Sequence, residues 1–426
     1  MPFSALVLAA AVAIAADVAA PETRAEQWTR LRREKAARTE VRHAGFLERT
    51  LLGIQEAGGP GILGINLGGF HPRAHFIASG SQLALGVRFW QPDLGPADID
   101  VAASASYSRR GYELYDLQVG RVAHQGRALP ARSTKGDDVA ELGDVPRVDD
   151  GRGLLYGSVR YRHYPQTAFY GLGLDADPAG RTNFLHQDAL YALVAGYQGK
   201  RGSATVRGGF LQAFVGTGTS EDDPDIRVLY DDQSAPGLDR QPDFYHFAAD
   251  ALLDYRDRPG NPHNGGMIAG GVSRYDERGG DEFSFTRVTG DARAFASLGS
   301  PQRVLAVRAL ASADLPGEGG RVPFYLQEGL GGSRTLRGFR TFRFRGEKLL
   351  LFQAEYRWEA WPAIELAAFA DAGRAYGAGE AYAIRDLETA VGFGVRLKTH
   401  DFVIGRADVA WSDEDTRVLF RLGPSF

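Results

Sequence analysis

The chain has 426 residues, a net charge of −4 and no cysteine. The missing cysteines exclude disulfides, thiol chemistry and cysteine-based zinc sites, and the slightly acidic balance argues against nucleic acid as a partner. Glycine, with 54 residues, is too frequent for a predominantly helical protein.

Residues 1–20 read MPFSALVLAAAVAIAADVAA, an apolar run followed by small residues, with no Lys or Arg before it. This pattern predicts a secretory signal peptide with a cleavage site near Ala13–Ala15, and a short membrane anchor is the alternative. Residues 21–60 begin charged and helix-favouring, with few apolar positions such as Trp28 and Leu31. We expect them to form a short periplasmic arm, helical or disordered, with little surface to bury.

From Gly61 to Phe426 the sequence alternates between apolar and polar residues, and Gly, Pro and Asp break the alternation at turns. The stretch 347–358 is the clearest case. Leu350, Phe352, Ala354, Tyr356 and Trp358 take one face, and Gln353, Glu355 and Arg357 take the other. Similar runs recur with about the 9–11 residues that a tilted strand needs to cross a bilayer. Tyr or Trp often closes the apolar face, as in the aromatic girdles of membrane barrels.

The alternation predicts an all-β protein, a transmembrane antiparallel β-barrel of sixteen strands, because hydrocarbon does not tolerate an open sheet edge. The strands are expected to begin near Gly61, Gln82, Asp98, Tyr112, Leu154, Asp188, Ala204, Phe244, Gly265, Phe283, Arg303, Glu347, Ile364, Thr389, Phe402 and Arg417. Long loops at 216–241 and 315–346 belong outside, and short turns belong on the periplasmic side. The connection 122–153 is long where a short turn is expected.

Three motifs stand in order along the predicted strands. Leu336-Arg337-Gly338-Phe339 falls between the eleventh and twelfth strands, Glu355 lies on the twelfth, and Phe369-x-Asp371-x-Gly373 lies on the thirteenth. The chain ends in Phe426, after Phe420 and Leu422 on the same alternating face. In these features the sequence resembles the BamA/TamA-like superfamily of outer-membrane barrels, the bacterial surface antigen family. The resemblance implies a sixth extracellular loop that folds into the lumen and a C-terminal assembly signal formed by Phe420, Leu422 and Phe426.

Glu355 and Asp371 lie on the polar faces of adjacent strands, so both are expected to point into the lumen. A guanidinium presents a planar fork of donors that suits carboxylates, so these two side chains are the expected partners of Arg337. Arg334 and Arg340 have no such partners in the sequence and are expected to be solvated.

One feature departs from the family. Its BamA and TamA members carry periplasmic polypeptide-transport-associated (POTRA) domains before the barrel, and residues 21–60 are too few for one. The sequence therefore resembles the subgroup without these domains.

No catalytic residues, metal ligands or cofactors are expected, and no enzymatic activity. His71 and His75 have a helical zinc spacing, but Pro72 places them in a predicted loop. The resemblance implies outer-membrane protein assembly or insertion, or the translocation of protein or lipid, in the bacterial outer membrane. Expected partners are outer-membrane lipid and lipopolysaccharide, the barrel-assembly machinery during biogenesis and unfolded protein substrates. A passive pore or a surface-exposed structural antigen remain the alternatives.

Overall fold

The computed structural model describes residues 67–78, 80–95, 99–122, 151–173 and 176–426. The predicted signal peptide (1–20), the arm (21–60) and the predicted start of the first strand at Gly61 lie outside these residues. Within the described residues, no helix is long and apolar enough to cross a membrane.

Sixteen antiparallel strands form one sheet, which curls into a nearly closed barrel. The strands in order are β1 (Phe70–Phe76), β2 (Leu83–Leu94), β3 (Ile99–Ser108), β4 (Glu113–Arg121), β5 (Arg152–Phe169), β6 (Thr182–Gln198), β7 (Gly202–Thr217), β8 (Phe244–Asp254), β9 (Gly265–Glu277), β10 (Phe285–Ser297), β11 (Arg303–Pro316), β14 (Lys348–Trp361), β15 (Ile364–Tyr376), β16 (Glu388–Lys398), β17 (Val403–Trp411) and β18 (Thr416–Leu422). Two further short strands, β12 (Gly329–Leu330) and β13 (Phe344–Arg345), pair with each other inside the connection between β11 and β14. The predicted number and order of the barrel strands are confirmed.

Side chains alternate between the two faces of the sheet as the sequence predicts. On β16, Phe393 is 64% exposed and Arg396 is 1% exposed, because the first faces outward and the second faces the lumen. The aromatic residues Tyr107, Tyr197 and Trp358 are also exposed on the outer face. The barrel therefore has an apolar outside and a polar inside, as a membrane requires.

The outer mouth is covered by two long connections that pack on each other. Ile226 and Leu238 from the β7–β8 connection and Phe324 and Tyr325 from the β11–β14 connection share one buried apolar cluster. Phe169 and Phe184, at the outer ends of β5 and β6, complete the cluster. The start of the β11–β14 connection is therefore fixed before it enters the barrel.

The two terminal strands of the barrel, β1 and β18, are short. β1 begins at Phe70, after Gly68 and Gly69, both of which have positive φ. β18 ends at Leu422, so Pro424 lies beyond the strand. In the described part of the chain β1 and β18 are the two ends of the sheet, and no strand pairing joins them.

The predicted position of Phe426 on the outer face is wrong. Gly423 has a φ of 86° and turns the chain out of the β18 direction. Phe426 is consequently 4% exposed, inside the barrel, whereas Phe420 and Leu422 remain on the outside. The alternation does not extend beyond a residue that leaves extended geometry.

Candidate functional site

The β11–β14 connection turns into the lumen through two glycines. Gly331 and Gly332 have φ values of 112° and 86°, which other residues rarely adopt. The hydroxyl of Thr335 accepts a hydrogen bond from the Gly331 amide at 2.9 Å, and the Gly332 amide donates to the Phe339 carbonyl at 3.0 Å. These bonds fold residues 331–339 into a compact tip.

At this tip, Arg337 is completely buried and binds two carboxylates. Its Nε and Nη2 donate to the two oxygens of Asp371, each at 2.7 Å, and its Nη1 donates to Glu355 at 2.8 Å. Its backbone amide also donates to Asp371, at 3.2 Å. The Phe369 ring lies under the guanidinium, with its centroid 3.4 Å from the central carbon. The structure thus brings together the loop motif and the two predicted lumenal partners.

The apolar residues of the loop motif pack against the barrel wall. Leu336 and Phe339 have no exposed surface, and both belong to a buried cluster with residues of β11, β14, β15 and β16. The Phe339 ring also contacts Phe344 of β13, with 5.1 Å between the centroids. This packing excludes water from around the Arg337 ion pairs.

Two motif glycines permit the close approach of loop and wall. A Cβ on Gly338 would come within 2.8 Å of the Cβ atoms of Ala390 and Ser412. A Cβ on Gly373 would lie 2.8 Å from the Leu350 carbonyl and 3.2 Å from Leu330 of β12. Both positions therefore require glycine for steric reasons rather than for flexibility.

Glu355 has more partners than the sequence analysis identifies. Besides Arg337, it accepts hydrogen bonds from Arg357 Nε at 2.8 Å, Arg396 Nη2 at 2.9 Å and the Ser425 hydroxyl at 2.9 Å. Arg357 and Arg396 stand on the polar faces of β14 and β16, so alternation places them in the lumen. Only the relative position of the strands brings the two arginines to Glu355, and that position cannot be read from a single sequence.

The cluster continues to the end of the sheet. Arg396 donates to Asp408 at 2.6 Å, and Asp408 is also bonded to Arg406. Arg406 and Arg421 both donate to Ser333 of the loop tip. Arg406 donates to the Ser333 carbonyl, and Arg421 donates to the Ser333 hydroxyl at 2.8 Å. The loop tip is thus hydrogen-bonded to β14, β15, β17 and β18. We call this set, Arg337, Glu355, Asp371, Arg396, Asp408 and Arg406, the lumenal lock.

The remaining predicted residues lie apart from the lock or at its edge. Arg340 is exposed, and Arg334 is half-buried. Phe420 and Leu422 are 72% and 39% exposed on the outer face, away from Phe426. The assembly-signal role of these three residues stays a prediction.

The histidine pair lies on β1 rather than in a loop, which corrects the sequence analysis. In a strand, residues four apart are two pleats from each other and are poorly placed to share a metal ion. His75 instead bonds the Ser106 hydroxyl at 2.8 Å. No group of three or more His, Asp or Glu side chains in the described residues could hold a metal ion.

The barrel, its girdles and the lumen-anchored loop define a class, the bacterial outer-membrane β-barrels. Residues 214–426 match the model of the Omp85 superfamily domain, which is half of the chain. The chain therefore belongs to the Omp85 superfamily.

A solved structure with a TM-score above 0.5 agrees on the fold, and a second one is less similar. BamA from Haemophilus ducreyi, in a form lacking POTRA domains 1–3, has a TM-score of 0.57 at 12% identity, covering 83% of this chain and 69% of that chain. CdiB from Escherichia coli has a TM-score of 0.45 at 11% identity, covering 84% and 60%. No curated protein matches the sequence.

Proposed function

We propose that this barrel inserts or translocates polypeptide, or lipid, at the outer membrane. One observation carries the proposal. The described ends of the sheet, β1 and β18, are not paired, while the loop tip is bonded to β14, β15, β17 and β18. The barrel wall can therefore open between β1 and β18 while the loop tip keeps the strands on the β18 side aligned.

The energetics of the strand ends support this reading. β1 and β18 have 7 residues each, whereas β5 has 18. Separating β1 from β18 breaks no strand pairing among the described residues, so the sheet opens at lower cost there than elsewhere. A gap that exposes unpaired backbone groups to the bilayer is a template for adding a strand. The substrates that fit are unfolded polypeptides, and lipid or lipopolysaccharide would contact the same gap.

The proposed function also implies partners. During its own biogenesis the chain would be a substrate of the barrel-assembly machinery, and afterwards it would act on other chains. No step of the proposed activity breaks a covalent bond, so we assign the protein no catalytic residue, cofactor or metal ion.

A test closes the gap reversibly. The chain has no native cysteine, so pairs can be introduced between residues 70–76 and 416–422 and screened for oxidation. We expect a correctly placed disulfide to reproduce, in a quantitative outer-membrane proteome and lipid analysis, the changes seen on depletion, and reductant to reverse them. Two cysteines within β18, at Val418 and Phe420, provide the control for oxidation alone. Full cellular activity with the gap between β1 and β18 closed, a place we call the seam, would refute opening there.

A passive pore is the second candidate, and one observation favours it. On β7 and β8, Arg207 and Asp250 keep 33% and 27% of their side-chain surface exposed, unlike the lock residues. Charged groups that stay accessible inside a barrel are typical of a water-filled passage. Conductance that survives closing of the seam, together with an unchanged proteome, would favour the pore.

A further inference from the structure

The lumenal faces of β5 to β8 carry a group of polar side chains apart from the lumenal lock. Strand pairing places Ser158, Ala192, Gly209 and His246 in one row across these four strands. Alternation turns all four residues toward the lumen. Because Ala192 and Gly209 have a small side chain or none, the middle of the row is a recess in the barrel wall.

Two arginines flank this row on opposite sides. On β5, Arg160 is the next lumenal residue toward the outer mouth, and on β7, Arg207 is the next lumenal residue toward the periplasm. The charges of both arginines act on the His246 ring, which is 4% exposed. We call the row and these two arginines the lumenal recess. Its rim therefore carries two cations, an imidazole and the Ser158 hydroxyl.

The recess is closed toward the outer mouth and accessible from the periplasmic side. Leu190 and Leu211, the next lumenal residues outward on β6 and β7, are 7% and 5% exposed and belong to one buried apolar cluster. Ala192 packs against that cluster. On the other side, Arg207 and Asp250 keep 33% and 27% of their side-chain surface exposed. A solute therefore enters the recess from the periplasmic side of the lumen.

Two polar atoms of the recess lack hydrogen-bond partners within the described part of the chain. They are Arg160 Nε and His246 Nδ1, and both are buried. Asp116, the residue opposite Arg160 on β4, instead accepts a hydrogen bond from Ser104 of β3 at 3.4 Å. Burial without a partner is costly for a polar group, so these two atoms are suited to a ligand.

The neighbouring lumenal arginines differ from Arg160, because each has a carboxylate of its own. Arg162 Nε donates to both oxygens of Asp188 at 2.9 Å. Arg287 donates to the two oxygens of Asp314 at 2.6 and 2.7 Å. Arg160 makes no salt bridge to the described residues, so its positive charge remains for a ligand.

We propose that the lumenal recess binds a phosphate group, either free phosphate or the phosphate of an ester, that arrives from the periplasmic side. Guanidinium groups form strong charge-assisted hydrogen bonds to phosphate oxygens. Arg160 and Arg207 approach the recess from β5 and β7, which lie about 10 Å apart on either side of β6. Donors that converge from two sides suit a tetrahedral oxyanion better than a planar carboxylate. This inference does not depend on opening at the seam.

The first test measures binding of inorganic phosphate to the purified barrel in a detergent without phosphate groups. Phosphorus-31 line broadening, titrated with protein, gives the dissociation constant. Arg160→Gln should weaken binding on the order of tenfold to a hundredfold, because a charge-assisted hydrogen bond is lost. Arg207→Gln should act in the same direction, so the test does not depend on the folding of one variant. Asp250→Asn removes a competing carboxylate and should tighten binding.

A matched control and two further ligands complete the test. Arg274→Gln removes an arginine whose ion pair with Asp276 is exposed on the outer face of β9, and it should leave binding unchanged. Glucose 6-phosphate separates the two sources of the ligand. If it competes with inorganic phosphate, the recess accepts phosphate esters, and if it does not, the recess is a site for the free ion.

Three outcomes overturn the proposal. No broadening of the phosphate signal by the native barrel means that the recess holds only water. Binding that is unchanged in both Arg160→Gln and Arg207→Gln means that phosphate binds elsewhere on the protein. Equal competition by acetate, a planar carboxylate, means that the recess attracts anions without selecting phosphate.

Discussion

The β11–β14 connection contains the same chemistry twice, once at each end of its path. Arg337, at the inner tip, binds Asp371 and Glu355, and all three side chains have no exposed surface or almost none. Arg321, at the outer mouth, binds Asp232 at 2.9 Å and also Glu282, and these side chains are 36%, 27% and 42% exposed. Each arginine thus joins the loop to two carboxylates from other parts of the barrel.

The two sites differ in how far water reaches their ion pairs. Ion pairs at the surface are screened and are worth little, whereas removing one partner of a buried pair leaves an uncompensated charge in a medium that solvates it poorly. We therefore expect the inner site to determine whether the loop is in place, and the outer site to adjust how firmly the mouth is covered.

The largest expected effect comes from comparing the two arginines directly. Arg337→Ala should lower the free energy of unfolding by about 3–5 kcal/mol, because Asp371 and Glu355 remain buried without it. Arg321→Ala is the matched control in the same loop and should cost about 0–1 kcal/mol. Urea unfolding of the barrel in lipid vesicles measures both. Equal losses would show that burial does not distinguish the two sites.

A double-mutant cycle shows whether the lock acts as a unit. Asp371→Asn and Arg337→Ala should each destabilise the barrel, and the double variant should fall short of their sum by about 0.5–3 kcal/mol, because the second change removes a partner already lost. The same cycle on Arg321 and Glu282 should be additive within error. Additivity at Arg337 and Asp371 would mean that the pair does not interact in the folded protein.

Most of the fold could be predicted because it rests on alternation, which is local. The faces of β14, β15 and β16 follow directly from the sequence, and with them the lumenal position of Glu355 and Asp371. The predicted start of the first strand at Gly61 lies outside the described residues, and the positive φ of Gly68 and Gly69 just before β1 has no counterpart in the alternation. Alternation alone puts Phe426 on the wrong face, because the turn at Gly423 breaks the period.

The rest of the site depends on contacts between distant segments. Arg357 and Arg396 could be placed in the lumen, but their shared carboxylate depends on the register and curvature of three strands. Ser425 reaches Glu355 only because the chain leaves the sheet, and the sequence contains no signal for it. At the outer mouth, the ion pairs of Arg321 with Asp232 and Glu282, which we call the outer clasp, join three loops. Loops have no periodic pattern from which such contacts could be predicted.

A smaller effect is expected at the glycine of the loop motif. Gly338→Ala places a methyl group 2.8 Å from Ala390 and Ser412, so the tip must shift away from the wall, and we expect a loss of about 1–3 kcal/mol. Gly317, at the outer end of the same connection, has no atom within 4 Å of its Cβ position and a φ outside the left-handed region. Gly317→Ala should therefore be nearly neutral in the same unfolding assay. A neutral Gly338→Ala would show that the loop is not in close contact with the wall.

The smallest expected effect is a loosening of the outer clasp in acid. Hydrogen bonds from Arg321, and after it Arg240, hold the pKa of Glu282 below its ordinary value of 4.5. A carboxyl group whose folded pKa is depressed stabilises the fold fully above its unfolded pKa, and that contribution disappears as the pH falls through the folded pKa. The clasp should therefore be intact at pH 7 and should weaken below about pH 4.5. A fluorophore on Glu318→Cys, in the outer part of the connection, should lose anisotropy over this range. In Glu282→Gln the anisotropy should already be lower at pH 7 and should depend less on pH. The same acid response in both proteins would show that another group controls the mouth.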